Sequence, residues 1–323
     1  MMKKVLITGV AGMIGSHLVD KLLEKKYKVI GIDNLSYGKV DNISHNLENP
    51  LFSFYQVDIM DMDRLKILGK DIDIIVHLAA VKKISEKDIS MPTLSVNAKG
   101  TENILEVAKM WGCKVLFAST SDVYGMSPDL PLNEDGDLLL GPSMIKRWSY
   151  AVSKLFGEQL AFAYYHDYKV PVVVIRYFGG FSPRSSFAWS GGHVPIFIKS
   201  ILNDEEVIIH GDGTQTRSMG FVTDLVDGTV LAIEKEEAVG EIINIGNDEE
   251  LSVIDTAHLI YGVVNSNKPI KIKFVPMSEV FGKYKDIMRR IPDLTKAKKI
   301  LGYSPKVKLK DAIELTIQEL KKK

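Results

Sequence analysis

The sequence predicts an α/β chain built on a doubly wound parallel sheet, and three observations carry that prediction. Short, wholly apolar, β-branched runs alternate with amphipathic helical patterns through the first half of the chain. Strands read this way when helices cover both faces of a parallel sheet. A glycine-rich turn, Gly9-Val10-Ala11-Gly12-Met13-Ile14-Gly15, separates the first apolar run from the first helical pattern, where backbone N–H groups can approach a pyrophosphate. Polar clusters stand where apolar runs stop, and a doubly wound sheet binds ligands at the carboxyl ends of its strands.

The elements follow in order. Lys4 to Thr8 reads as a strand, Ile14 to Lys26 as a helix, and Lys28 to Asp33 as a strand ending in an acid. Asp58 closes another strand, and Ile72 to Leu78 forms the next. Val96 to Trp111 has helical periodicity, Lys114 to Ala118 is a strand, Tyr150 to Tyr168 is a long helix and Val170 to Tyr177 a further strand. After about residue 178 Gly and Ser cluster in the stretch Phe178 to His193, and the elements shorten. The helix Leu225 to Lys235 and the strand Glu241 to Ile245 resume the alternation of the first half. The expected division is therefore 1–177 with 223–247 as a dinucleotide-binding domain. Residues 178–222 and 248–323 would form a smaller C-terminal α/β substrate domain.

Composition narrows the partners. The 323 residues carry 41 basic and 41 acidic side chains, so no global field draws the protein to nucleic acid or to an anionic membrane. No segment approaches the length of a transmembrane helix. Cys113, the single cysteine, gives no disulfide, and a cytoplasmic location is expected. The seven histidines show no metal-ligand spacing, so no metal is assigned.

Asp33 favours NAD over NADP, because a carboxylate accepts from ribose hydroxyls and repels a 2′-phosphate. Tyr150 and Lys154 lie one helical turn apart on one face. An ammonium so placed, helped by the nicotinamide charge, would lower the phenol's pKa. Tyr165 and Lys169 share that spacing but sit far down the same helix. The run Ser119-Thr120-Ser121-Asp122-Val123-Tyr124-Gly125 sets three hydroxyls and a carboxylate at a strand end, where they need water or a substrate as partner.

Taken together these residues resemble the extended short-chain dehydrogenases/reductases, nearest the nucleotide-sugar branch and UDP-glucose 4-epimerase-like members. The resemblance rests on Gly9/Gly12/Gly15, Asp33-Asn34, Asp58, His77-Leu78-Ala79-Ala80, Asn97, the Ser/Thr cluster, and Tyr150 with Lys154. It extends to Gly211-Asp212-Gly213-Thr214-Gln215-Thr216-Arg217 and Arg290-Ile291-Pro292-Asp293. It implies a Rossmann fold and a homodimer through the helices near 96–111 and 150–168. It also implies that Tyr150 takes the proton of the sugar 4-hydroxyl while hydride passes to NAD, with Thr120 bonding that hydroxyl and Lys154 orienting the ribose. Asp33, Asn34, Asp58 and Ala79 would line the cofactor. Ser121, Gly179, Arg184, Arg217 and Arg290 would meet the nucleotide sugar, the last two at its diphosphate.

The first reading is an NAD-dependent C4 epimerase of a UDP-hexose. Alternatives are a 4,6-dehydratase, a UDP-glucuronate decarboxylase, and a silent NAD-binding sensor. Dehydratases of the family place Asp-Glu after the threonine, whereas this chain has Ser121-Asp122. Decarboxylases have Ser-Glu, and Asp122 is one methylene shorter. Asp122 is thus either a participant in proton transfer or a turn residue bonding backbone amides. Gly179 stands where relatives carry Asn, and is expected to leave room beside the sugar. His193 reads either as a substrate contact or as an exposed loop residue.

Overall fold

The computed structural model describes residues 2–322 apart from 83–88, 188–191, 265–266 and 282–285. Residues 188–191 of the Gly/Ser stretch therefore lie outside the described residues. The chain opens with β1 (Lys4–Thr8), α1 (Met13–Glu24) and β2 (Lys28–Asp33), followed by β3 (Phe52–Gln56), α2 (Met62–Leu68) and β4 (Ile74–His77). Next come α3 (Met91–Trp111), β5 (Lys114–Thr120), α4 (Trp148–Tyr168) and β6 (Val172–Tyr177). Seven parallel strands pair in the order β10-β6-β5-β4-β1-β2-β3, with β10 (Ile242–Ile245) supplied late in the chain. The order reverses between β1 and β4, and that switch point opens the crevice where ligands bind.

Alternation along each strand splits the core. Val5 and Ile7 of β1 and Val173 and Ile175 of β6 join one buried cluster, while Leu6, Val172 and Val174 join the other. Helices α3 and α4 pack together on one side, and α1 packs on α6 (Val222–Glu234). Helix α3 starts at Met91 rather than near Val96, because Pro92 suits the first helical turn, and it stops at Gly112 in the left-handed region. Strand β5 runs two residues beyond Ala118, so Ser119 and Thr120 belong to it, and Ser121–Tyr124 form a 3₁₀ turn.

The remaining elements build the other wall of the crevice. They are β7 (Gly179–Phe181), α5 (His193–Leu202), β8 (Val207–His210), β9 (Thr216–Phe221), β11 (Glu250–Ser252), α7 (Val253–Val264), β12 (Ile272–Val275), α8 (Met277–Phe281), α9 (Thr295–Leu301) and α10 (Leu309–Leu320). They form two small sheets, β11-β9-β7 and β12-β8. Within the first, β7 lies parallel to β9 with Gly179 opposite Met219. No helix among the described residues is long and apolar enough to cross a membrane.

Candidate active site

The turn after β1 is shaped by glycine. Gly9 has φ +71°, and a Cβ there would lie 2.8 Å from the Ala79 backbone nitrogen. A Cβ on Gly15 would stand 2.4 Å from the Gly9 carbonyl oxygen. Helix α1 begins after Gly12 with no side chain capping its first N–H groups, which leaves them for an anion. A cavity of about 140 Å³ beside the turn is lined by Gly9, Gly12, Asp33, Asn34 and Ala79. Asp33 accepts from the Ala11 nitrogen at 3.0 Å and the Leu35 nitrogen at 2.8 Å. Burial raises its pKa, and those two amides oppose the shift. Asn34 donates to Asp58 at 2.8 Å, so Asp58 braces Asn34 at the rim. His77 bridges Thr8 at 2.8 Å and Thr101 at 3.2 Å. Burial, helped by the Lys154 charge, lowers its pKa to about 3 and keeps it a neutral structural residue.

A larger cavity of about 450 Å³ runs from Gly9 past Thr120, Tyr150 and Lys154 to Gln215 and Met277. Strand β5 delivers Ser119 and Thr120 to its wall. Ser119 donates to Glu158, which also holds Arg176 at 2.7 Å in a buried pair. Thr120 caps the 3₁₀ turn by accepting from the Asp122 nitrogen at 3.2 Å. Lys154 donates to the Ala118 carbonyl at 2.7 Å, and burial brings its pKa down to about 7 against the pull of Glu158. The expected depression of the Tyr150 phenol is not produced by the protein's own groups. Burial and the Asp122 charge push it upward instead, because Lys154 is itself desolvated and turned to Ala118.

Asp122 is the electrostatic centre of the wall. It is 3 % exposed, and its carboxylate meets Arg290 at 2.7 Å, Lys82 at 3.5 Å and Arg147 at 3.7 Å. Burial alone would raise its pKa, but Arg290, then Lys82 and Arg147, outweigh that and hold it far below the usual carboxylate range. Its ties are to side-chain cations, so the turn-residue reading does not describe it. Asn97 pins the loop that carries Lys82, bonding both the Val81 nitrogen at 2.8 Å and the Val81 carbonyl at 3.0 Å. Lys82 also lies over the Tyr150 ring, 5.2 Å from its centre. Neither Lys82 nor Arg147 was assigned to the site from the sequence. The available signal was the place of Lys82 in the loop that leaves the carboxyl end of β4.

Three expectations about the opposite wall change. The room expected beside Gly179 is filled: a Cβ there would lie 2.5 Å from Met219 Sδ, since register sets the two residues opposite one another. Arg184 is not part of the cavity lining. It pairs with Asp20 of α1 at 2.8 Å and approaches His45 at 3.5 Å, because the loop after β7 crosses to α1. His193 is no exposed loop residue. It opens α5, is half-buried, and lines the cavity beside Arg217. Arg217 donates to Thr216 and Ile287 carbonyls at 2.7 Å and to Asp286 at 2.9 Å. Among the described residues no group of His, Cys, Asp and Glu is arranged to hold a metal ion.

Comparison with known proteins matches residues 6–316 to the family described as GDP-mannose 4,6-dehydratase. The chain belongs to this nucleotide-sugar branch of the extended short-chain dehydrogenases/reductases. It is 37% identical over 322 residues to UDP-N-acetyl-α-D-glucosaminuronate decarboxylase of Bacillus cytotoxicus, covering 98% of each chain. The UDP-glucuronic acid 4-epimerase of Bacillus cereus, solved with UDP-glucuronic acid and NAD, superposes with a TM-score of 0.89 at 33% identity over 99% of both chains. The UDP-glucose 4-epimerase of Thermotoga maritima superposes with a TM-score of 0.87 at 30% identity, again over 99% of each.

As a member of this family the protein is an enzyme and uses NAD. The residues around the first turn suit that cofactor. The glycines leave no space for side chains where a pyrophosphate must approach, the α1 amides are uncapped, and Asp33 presents an acceptor at the end of β2.

Proposed function

We propose that the protein acts on a UDP-linked hexuronic acid, oxidising C4 and then releasing the C6 carboxylate as CO2. The reading rests on one observation: three cations, Arg290, Lys82 and Arg147, converge on Asp122 in the cavity wall that also presents Thr120 and Tyr150. Three positive charges against one carboxylate leave a cationic wall, which suits an anionic sugar better than a neutral hexose. The Bacillus cytotoxicus relative, a decarboxylase of a UDP-linked sugar acid, supports the same substrate class.

In this scheme Tyr150 accepts the proton of the 4-hydroxyl, and Thr120 bonds the same oxygen. Lys154 orients the ribose of the cofactor. NAD, which the Gly9–Gly15 turn and Asp33 would hold, would supply the hydride acceptor and donor for C4 when bound. The 4-keto acid is a β-keto acid, so breaking its C5–C6 bond releases CO2 and puts the electron pair into an enolate. Tyr150 and Thr120 are set to donate to that oxyanion, and C5 takes a proton from water. Asp122 is held as an anion and gives up no proton here. It keeps Arg290, Lys82 and Arg147 at the sugar.

A second reading, C4 epimerisation of the same sugar acid, shares the oxidation step and is favoured by the Bacillus cereus neighbour. Mass spectrometry after incubation with UDP-glucuronic acid and UDP-N-acetylglucosaminuronic acid separates the two. A product lighter by CO2 supports decarboxylation, and an isomer of unchanged mass supports epimerisation. Turnover of UDP-glucose alone, the UDP-hexose expectation, sinks both.

We further propose that residues 1–177 with 223–247 hold the cofactor and that the remainder holds the nucleotide sugar. A homodimer through α3 and α4 completes the proposal, with Met91, Leu94, Val152 and Phe156 as its exposed apolar residues. Sedimentation showing only monomer at micromolar concentration would count against it.

A further inference from the structure

Two shielded polar atoms on the wall of the large cavity, Arg290 Nε and His193 Nε2, meet no partner among the described residues. An unsatisfied polar group of this kind costs about 1–3 kcal/mol, so such atoms mark what a ligand has to supply. Arg290 Nε carries an obligate N–H and requires an acceptor. His193 Nε2 donates when its tautomer places the proton there. Neighbouring charge says which ligand group lies nearby. Arg217 of β9 and Asp286 act on His193, whereas Arg290, Lys82 and Arg147 act on Asp122. This sets His193 among the groups around Arg217, apart from the cations on Asp122. The Phe197 ring, 5.5 Å away between centres, packs against the imidazole edge-on and restricts its rotation.

The Arg217 guanidinium is already anchored to two carbonyls and to Asp286, so it offers charge more than free donors. A diphosphate beside it needs additional N–H groups. We propose that His193 is a substrate-recognition residue whose Nε2–H donates to the diphosphate of the bound nucleotide sugar, alongside Arg217. This rests on the nucleotide-sugar reading above and deepens it at one residue. In the resting protein burial, then Arg217, brings the His193 pKa down to about 3, with Asp286 opposing. The ring is therefore neutral, and it enters the site without adding a third charge next to Arg217. An arriving phosphate oxygen favours the tautomer with hydrogen on Nε2.

The test is calorimetric titration of UDP into the NAD-loaded protein and into its His193→Phe and His193→Gln variants, with melting curves to confirm folding. A hydrogen bond to a charged group contributes about 1.5–3 kcal/mol, so His193→Phe is expected to bind UDP at least ~10-fold more weakly. His193→Gln, which can place an amide N–H near the same point, should stay within ~3-fold of the wild type. In turnover assays the Phe variant should raise KM and leave kcat at saturation unchanged. Equal UDP affinity in the wild type and the Phe variant overturns the proposal. So does an equal loss in Phe and Gln, which would mean that the ring only supports α5. UDP binding needs no turnover, so failure of the sugar acids to lose CO2 sinks the reaction proposed above and leaves this measurement standing.

Discussion

The two ends of the cleft are built on different principles. At the NAD end the wall is mostly backbone: the turn Gly9 to Gly15, the uncapped start of α1, and an acid at the end of the adjacent strand. These groups come from one short β-α-β stretch. At the end proposed for the sugar the wall is side chain against side chain, and its members come from across the chain, with Lys82, Asp122, Arg147 and Arg290 in one cluster and Gly179 against Met219 in another. A backbone site tolerates little change at a few positions and is indifferent elsewhere. A side-chain site can be retuned, but only by changing partners together.

The largest expected effect tests the first half of that contrast. Gly15→Val would force a Cβ to within 2.4 Å of the Gly9 carbonyl, and no rotamer relieves a clash with backbone. NAD binding, followed by fluorescence quenching, should be lost and the melting temperature should fall. Retention of NAD would break the claim that this end is set by backbone approach.

Asp122→Asn tests the second half. Removing one partner of a buried ionic cluster costs about 3–5 kcal/mol, so thermal unfolding should shift down sharply. Turnover of the sugar acid should drop by at least ~10²-fold as Arg290, Lys82 and Arg147 lose their common anchor. Unchanged stability would mean that the cations are already compensated elsewhere.

Paired change is sharpened by Gly179→Asn. Alone, the new side chain collides with Met219 Sδ, at 2.5 Å from its Cβ, and overpacking of this kind costs about 1–3 kcal/mol. Combining it with Met219→Ala should recover most of that loss in a double-mutant cycle. Additive effects would show that the two residues do not share the space.

A smaller effect reports on Lys154. Its pKa falls from 10.5 in the unfolded chain to about 7 when folded. Between those values the unfolded state binds more protons, so the stability of the NAD-free protein should rise with pH across that window. The slope of melting temperature against pH from 7 to about 10 should be shallower in Lys154→Met. Equal slopes would place the lysine in a wetter setting than the structure gives it. Smallest of all is Arg184→Ala, because Arg184 pairs with Asp20 at the outer face of α1. A half-exposed pair contributes about 0–1 kcal/mol, so KM should change by no more than ~2-fold. A large rise in KM would return Arg184 to the substrate site.

Much of the molecule was legible before its structure. The apolar runs Val5 to Ile7 and Val115 to Ala118 mark parallel strands, since only a strand covered on both faces can be apolar throughout. Gly9, Gly12, Gly15 and Asp33 mark the cofactor end because a tight turn and a terminal acid are local facts. Tyr150 and Lys154 are one turn apart on a helix, and helical spacing alone puts them on one face. Ambiguity began at Asp122, whose residue type suits both a turn and a site.

The sequence by itself determined the sheet, the crevice at its switch point and the glycine turn that suits NAD, because each follows from neighbours within a turn or a strand. The tertiary structure alone decided that Asp122 is a locked anion, that Met219 occupies the space beside Gly179, that Arg184 faces α1, and that His193 faces the cavity. Those outcomes depend on which distant segments come to lie side by side. Packing and the low dielectric of the interior then fix charge and volume at the site, and neither is written in the spacing of residues along the chain.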